Sequence, residues 1–113
     1  MAIENDLNAI LSPIVSGRCY PLVGPDNAVK PYILFQVIKN IPEMSLDGTN
    51  SIDRCKVQID IYGDSYASIK QLESQVRDTM ASANFTNTPL FFKDLYDEDL
   101  NLYREQMKYS TWE

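Results

Sequence analysis

Between Asp53 and Tyr62 the chain alternates without a break. Cys55, Val57, Ile59 and Ile61 fall on one side, and Arg54, Lys56, Gln58, Asp60 and Tyr62 on the other. A repeat of two is the signature of a β-strand, because a helix would scatter these residues around its axis. One apolar and one polar face describe a half-covered antiparallel strand, whose register is pinned by the side that must be buried. Two other stretches have the helical period and can supply the cover: Ile3, Leu7, Ile10, Leu11 and Ile14, and then Tyr66, Ile69, Leu72, Val76 and Met80. At ~100° per residue the second set makes a stripe about 120° wide, suited to lying on a sheet.

The remaining segments fit around this frame. Ser12-Pro13 interrupts the first helix and predicts a short kinked extension ending at Gly17. Residues 18–22 read as a short strand, and 23–30 as a loop turning at Gly24-Pro25-Asp26-Asn27. The apolar, β-branched run 31–39 is a well-covered strand. After it, 40–52 reads as a long polar connection whose Asp47-Gly48 marks a turn; connections of this length in small domains tend to be functional. Gly63-Asp64-Ser65 stops the alternating strand and caps the second helix, where Glu73 and Arg77 form an i,i+4 pair expected on its wet side. A turn at 84–88 precedes a fourth strand from Pro89, which runs into the acidic stretch 94–99. The last strand, 102–112, sets Tyr103, Met107 and Tyr109 against Leu102, Arg104, Gln106, Lys108 and Trp112. The expected architecture is α+β: an antiparallel or mixed sheet of about five strands with two helices packed on one face, in the order α-β-β-β-α-β-β. At 113 residues the chain is one domain, 1–113.

Most chemistry is disfavoured. There is no histidine, so the commonest general base and metal ligand is missing. Two cysteines, Cys19 and Cys55, do not make a zinc site and read as reduced, partly buried thiols. No glycine-rich loop could cradle a phosphate. Asp97-Glu98-Asp99-Leu100-Asn101 opens like a calcium loop, but Leu102 stands where glycine is required and Lys108 where the bidentate glutamate belongs. Asp60 lies on a polar strand face and Asp64 reads as a helix cap, so they are not a catalytic pair. No catalytic, cofactor or metal residue is assigned, and an enzyme is not expected. The net charge is −6 and the ten basic residues are spread singly, which argues against tight or sequence-specific nucleic-acid binding but suits a surface past which DNA slides. No apolar run approaches the ~18 residues of a membrane helix, and the acidic N-terminus is unlike a signal peptide. What remains is interaction with other proteins. Seven Tyr, four Phe and one Trp are many aromatics for a small acidic chain, and Tyr62, with Tyr103 or Trp112, is expected opposite the core stripe.

Five short patterns, in order, resemble one family. They are Tyr20-Pro21-Leu22-Val23; Pro31-Tyr32-Ile33 with Phe35; Ser45-Leu46-Asp47-Gly48; Arg54 with Val57-Gln58-Ile59-Asp60-Ile61-Tyr62; and Leu95-Tyr96-Asp97-Glu98 followed by Leu102-Tyr103-Arg104 and Tyr109-Ser110-Thr111-Trp112. Together they resemble the tail terminator (tail completion, head–tail joining) proteins of long-tailed phages and prophages, over about residues 3–112. The resemblance implies an α+β structural protein of the virion, made in the bacterial cytoplasm and placed at the head-proximal end of the tail. It implies a hexameric ring that caps the tail tube, stops its polymerisation and offers a surface to the head connector or stopper. The implied partners are further copies of the chain, the tail tube protein and the connector, with no cofactor and no membrane. Met44, Ser45, Leu46, Asp47 and Gly48 are the candidate docking loop, with Tyr62 as a second candidate contact. Two alternatives stay open: another phage neck or tube component, and a cytosolic oligomeric domain that binds a small ligand.

Overall fold

The computed structural model describes residues 2–24, 29–44, 51–83 and 85–112. Helix α1 spans Ala2–Leu11 and tightens into a 3-10 turn over Ser12–Val15, where Pro13 sits in the first turn and cannot supply the amide that would continue the α-helix. Strand β1 is Cys19–Pro21, β2 Tyr32–Met44 and β3 Ser51–Gly63; α2 is Tyr66–Ala81, β4 Thr86–Asp97 and β5 Leu102–Trp112. The sheet order is β1-β2-β3-β5-β4. Only the β1–β2 pair is parallel, so the sheet is mixed.

Both helices lie on one face. Ile33 and Phe35 of β2, Val57, Ile59 and Ile61 of β3, and Met107 and Tyr109 of β5 meet Leu7 and Leu11 of α1 and Ile69, Val76 and Met80 of α2. The alternation around Ile59 therefore does what its period requires: every second side chain enters this core. Ser65 caps α2, its hydroxyl accepting from the Ser68 amide at 3.4 Å. At the other end of α2, the Asn87 side-chain amide donates to the Met80 carbonyl at 2.9 Å, which ties the start of β4 to the helix terminus. Gly63 is where strand passes under helix. A Cβ there would stand 2.8 Å from Cγ2 of the buried Ile69.

Three expectations change. The connection 40–52 is largely strand: β2 runs to Met44 and β3 begins at Ser51, paired through Met44↔Ser51, while the Asp47-Gly48 turn expected between them lies outside the described residues. Asn40, Pro42 and Glu43 read as loop formers, yet a proline is tolerated on a strand whose outer edge, beyond Phe35, has no neighbouring strand among the described residues. The hairpin passes the end of β5, whose last partner is Arg54↔Trp112, by three residue pairs. Second, β4 begins at Thr86, inside the expected turn, and takes in Asp94 before turning at 98–101. Third, Glu73 is buried, not on the wet side, although its pair with Arg77 forms at 3.8 Å. The two thiols are unbridged and buried, and burial pushes Cys19 up to about 11 against an opposing hydrogen bond from Ser12.

Candidate interaction site

The face of the sheet opposite the helices carries no covering element among the described residues, yet its centre is closed. Tyr62, on the polar side of β3, is 9% exposed. Its ring stacks on Tyr32 of the neighbouring strand, with centroids 5.0 Å apart and planes at 12°. On the other flank the Arg104 guanidinium lies 5.7 Å from the same ring. Arg104 Nε donates to Asp60 Oδ1 at 3.1 Å, and Gln58 Nε2 donates to Asp60 Oδ2 at 2.8 Å. Asp60 is thus held on both oxygens in a nearly dry place, which a lone carboxylate would not tolerate. Register explains the meeting: Tyr32↔Tyr62 and Tyr62↔Arg104 are direct cross-strand partners. Burial pushes the Tyr62 hydroxyl up, and the Arg104 charge works against it.

A second polar cluster lies under α2. Glu105, in phase with Tyr103 and Met107, faces the helices and is fully buried. Lys70 Nζ reaches it at 3.0 Å and also meets Glu73 at 2.6 Å and Asp94 at 3.2 Å. The Tyr66 hydroxyl donates to Asp94 at 2.7 Å. Burial, then the facing Asp94, push the Glu105 carboxyl up to about 8. Asp94 is drawn down to about 2 by its hydrogen bonds from Glu105 and Tyr66. Lys70 is pushed up, chiefly by Glu73. Glu73, Asp94 and Glu105 converge as metal ligands would. Their centre holds a cation of the protein's own, the Lys70 ammonium, which pairs with all three carboxylates.

The candidate contacts are placed as follows. Met44 ends β2, and Ser45, Leu46, Asp47 and Gly48 lie outside the described residues. Tyr62 sits on the predicted face but is buried in the polar network rather than presented to solvent. Tyr103 packs on the helix side, between Tyr66 and Tyr96 at 5.9 and 5.0 Å. The side chain of Trp112 lies outside the described ones, and among those described the most exposed aromatics are Tyr66, Phe91 and Tyr96. Phe91 follows a register shift between Pro89 and Phe91, a bulge at Leu90, and both side chains stand about half exposed on the outer strand β4. No period predicts a bulge, so a steady alternation misplaces Leu90. Sequence reasoning misses Glu105; the signal that finds it is its step of two from Tyr103 and Met107, which puts it on the helix side.

No helix among the described residues is long and apolar enough to cross a membrane. No curated protein matches the chain. A solved structure described as "Virion of native gene transfer agent (GTA) particle" contains a chain with the same fold: the TM-score is 0.70 at 17% identity, over 97% of this chain and 90% of that one. The family model described as "Tail completion protein gp17" matches residues 6–113, nearly the whole length and all seven strands and helices except the first turns of α1. With that match, and with the α-β-β-β-α-β-β order in place, the chain belongs to the tail completion protein family.

Proposed function

We propose that the chain is a structural component of the virion that closes into a ring of six copies at the head-proximal end of the tail, ends growth of the tail tube and gives the head connector its landing surface. The observation that carries this reading is the family match over residues 6–113. The structural relative comes from a virion particle, which agrees with it. The shape also supports it. The molecule measures 51 × 25 × 23 Å, and its β2–β3 pair runs three residue pairs past the end of β5, which offers a projecting edge to a neighbour. In this reading the tip, Met44 to Gly48, and the Tyr62 face are the contact surfaces toward the tube and connector. The acidic net charge keeps DNA from sticking in the passage.

The test is tail assembly. Replacing Met44 and Leu46 together with Ser leaves the melting temperature nearly unchanged and yields overlong tubes in negative-stain images. Tubes of normal length topped by normal rings would show that the tip is only a connector. Light scattering up to high concentration, with imaging of finished tails, reads the ring itself. Its absence from both would refute the reading.

A further inference from the structure

The chain is acidic, with a net charge of −6, but its two sides are not alike. The helix side carries Glu4, Asp6, Glu73, Asp78, Asp94 and Glu105 against Lys70 and Arg77. The opposite side of the sheet carries Lys56 of β3, Arg104 and Lys108 of β5, and Lys93 of β4. Alternation keeps Lys56 in step with Tyr62 and Lys108 with Arg104, and register sets Lys93 across from Gln106. Among the described residues the ion pairs engage Lys70, Arg77 and Arg104, and Lys56, Lys93 and Lys108 have none.

These three lysines stand in a row. Lys56 pairs with Ser110, two residues from Lys108, and Lys108 pairs with Phe91, two residues from Lys93. Both steps run the same way, one strand across and two residues along. With strands about 4.8 Å apart and a rise of about 3.3 Å per residue, each step is about 8 Å and the row about 16 Å long. On β2 the residue paired with Lys56 is a further lysine, Lys39. In the middle of the row Lys108 Nζ lies 4.9 Å from the Phe91 ring. The two described acids of this side leave the row intact. Both oxygens of Asp60 are taken by Arg104 and Gln58, and Asp97 lies beyond Lys93 at the end of β4.

The chemistry of the face selects its partner. The core of a protein–protein interface is apolar and depleted in charge, whereas Lys56, Gln58, Asp60, Gln106 and Lys108 occupy the centre here. Interfaces with nucleic acid are polar and basic, and lysine and amide side chains take the phosphates. Each strand of a duplex sets one phosphate per ~3.4 Å of axis, so a ~16 Å row runs beside about five of them and three flexible ammoniums can each reach one. We infer that this diagonal of Lys56, Lys108 and Lys93 binds the phosphate backbone of double-stranded DNA, weakly and without regard to sequence. The acidic helix side repels the duplex and confines it to this one face. The contact goes beyond the proposed ring, since a single copy suffices to make it.

Fluorescence anisotropy with a labelled random-sequence duplex tests it on the full chain. The duplex binds with a dissociation constant on the order of 10⁻⁵ M at 50 mM salt, and a shuffled sequence binds equally well. Three phosphate contacts give a log–log salt slope of about −2.7, so affinity falls about 40-fold between 50 and 200 mM. Lys56→Gln, Lys93→Gln and Lys108→Gln each reduce the slope by about 0.9, and the triple variant loses binding with its melting curve unchanged. The triple Lys→Arg variant keeps it. Arg77→Gln, which removes a cation from the helix side, alters nothing. A wild type that ignores the duplex at 50 mM, or a triple Gln variant that binds like the wild type, would overturn the inference. Polyglutamate binding more tightly than the duplex at equal charge would make the face a protein dock and overturn it as well. So would overlong tubes from the triple Gln variant, and that result would leave the ring reading intact. A chain that binds the duplex through these lysines yet forms no ring supports the inference and refutes the ring reading alone.

Discussion

Lys70 and Glu105, one on α2 and one on β5, meet at 3.0 Å beneath the helix, and the Glu105 side chain is almost wholly out of water. The second Glu105 oxygen has no hydrogen-bond partner. A carboxylate placed so is costly when ionised, and its pKa of about 8 means that the folded chain holds a proton there that the unfolded chain releases near the ordinary value of 4.5. Stability from this group is complete below pH 4.5 and declines as the pH rises through 8, by up to about 1.4 kcal/mol per pH unit. Asp94 acts oppositely: its contribution is present above its ordinary 3.8 and is lost as the pH falls through 2. Urea melts at pH 5 and pH 8 will show the wild type weaker at pH 8. Glu105→Gln removes the difference, and with no histidine in the chain there is no imidazole to mask it.

Lys70→Met leaves Glu73, Asp94 and Glu105 facing one another without a counterion. Lys70 is part-exposed, so water offsets some of the loss, and the expected cost is about 2 kcal/mol at pH 7. The cost shrinks at pH 4, where protons replace the ammonium. A loss equal at both values would show that the lysine stem, not its charge, matters.

Arg104→Ala strips Asp60 of its charged partner while Gln58 still holds one oxygen, and about 2–3 kcal/mol should be lost. Arg104→Lys recovers little, because an ammonium neither reaches Asp60 in the same fork nor lies flat on Tyr62. In a double-mutant cycle with Tyr62→Leu the two changes couple by more than about 0.5 kcal/mol. Strict additivity would break the link between ring and guanidinium.

Gly63→Ala drives a methyl against Ile69 and should cost about 1–3 kcal/mol in denaturant melts. In an Ile69→Ala background, which removes the opposing Cγ2, the same substitution costs clearly less. An unchanged cost would place the strain in the backbone instead.

The frame is legible in the sequence because its signals are periodic. Ile59 and its alternating neighbours name the central strand, and Ile69, Leu72 and Val76 name the helix upon it. Legibility fails where a residue's type and its surroundings disagree. Pro42 and Asn40 speak for a loop and are overruled by pairing with Asp53 and Cys55, a long-range fact absent from local pattern. Glu73 looks solvated on a helical wheel, but Lys70, one turn earlier on the same helix, reaches down to Glu105 of β5 and draws Glu73 inward with it, and that long-range partner is absent from the helical pattern. Tyr62 stands on the face its period predicts, yet without the expected exposure. Its cover is Tyr32 and Arg104, some thirty and forty residues away along the chain and adjacent only through register.

The two bulges, between Val37 and Lys39 and between Pro89 and Phe91, fall on the long strands nearest the sheet's two margins. Each adds to a twist that already turns neighbouring strands by about 20–25°. The margins are therefore skewed like the blades of a propeller, and any assembly joined through them takes its pitch from the interior of the subunit. A substitution deep under α2 that flattens the sheet would change the skew of both margins without touching a residue of either.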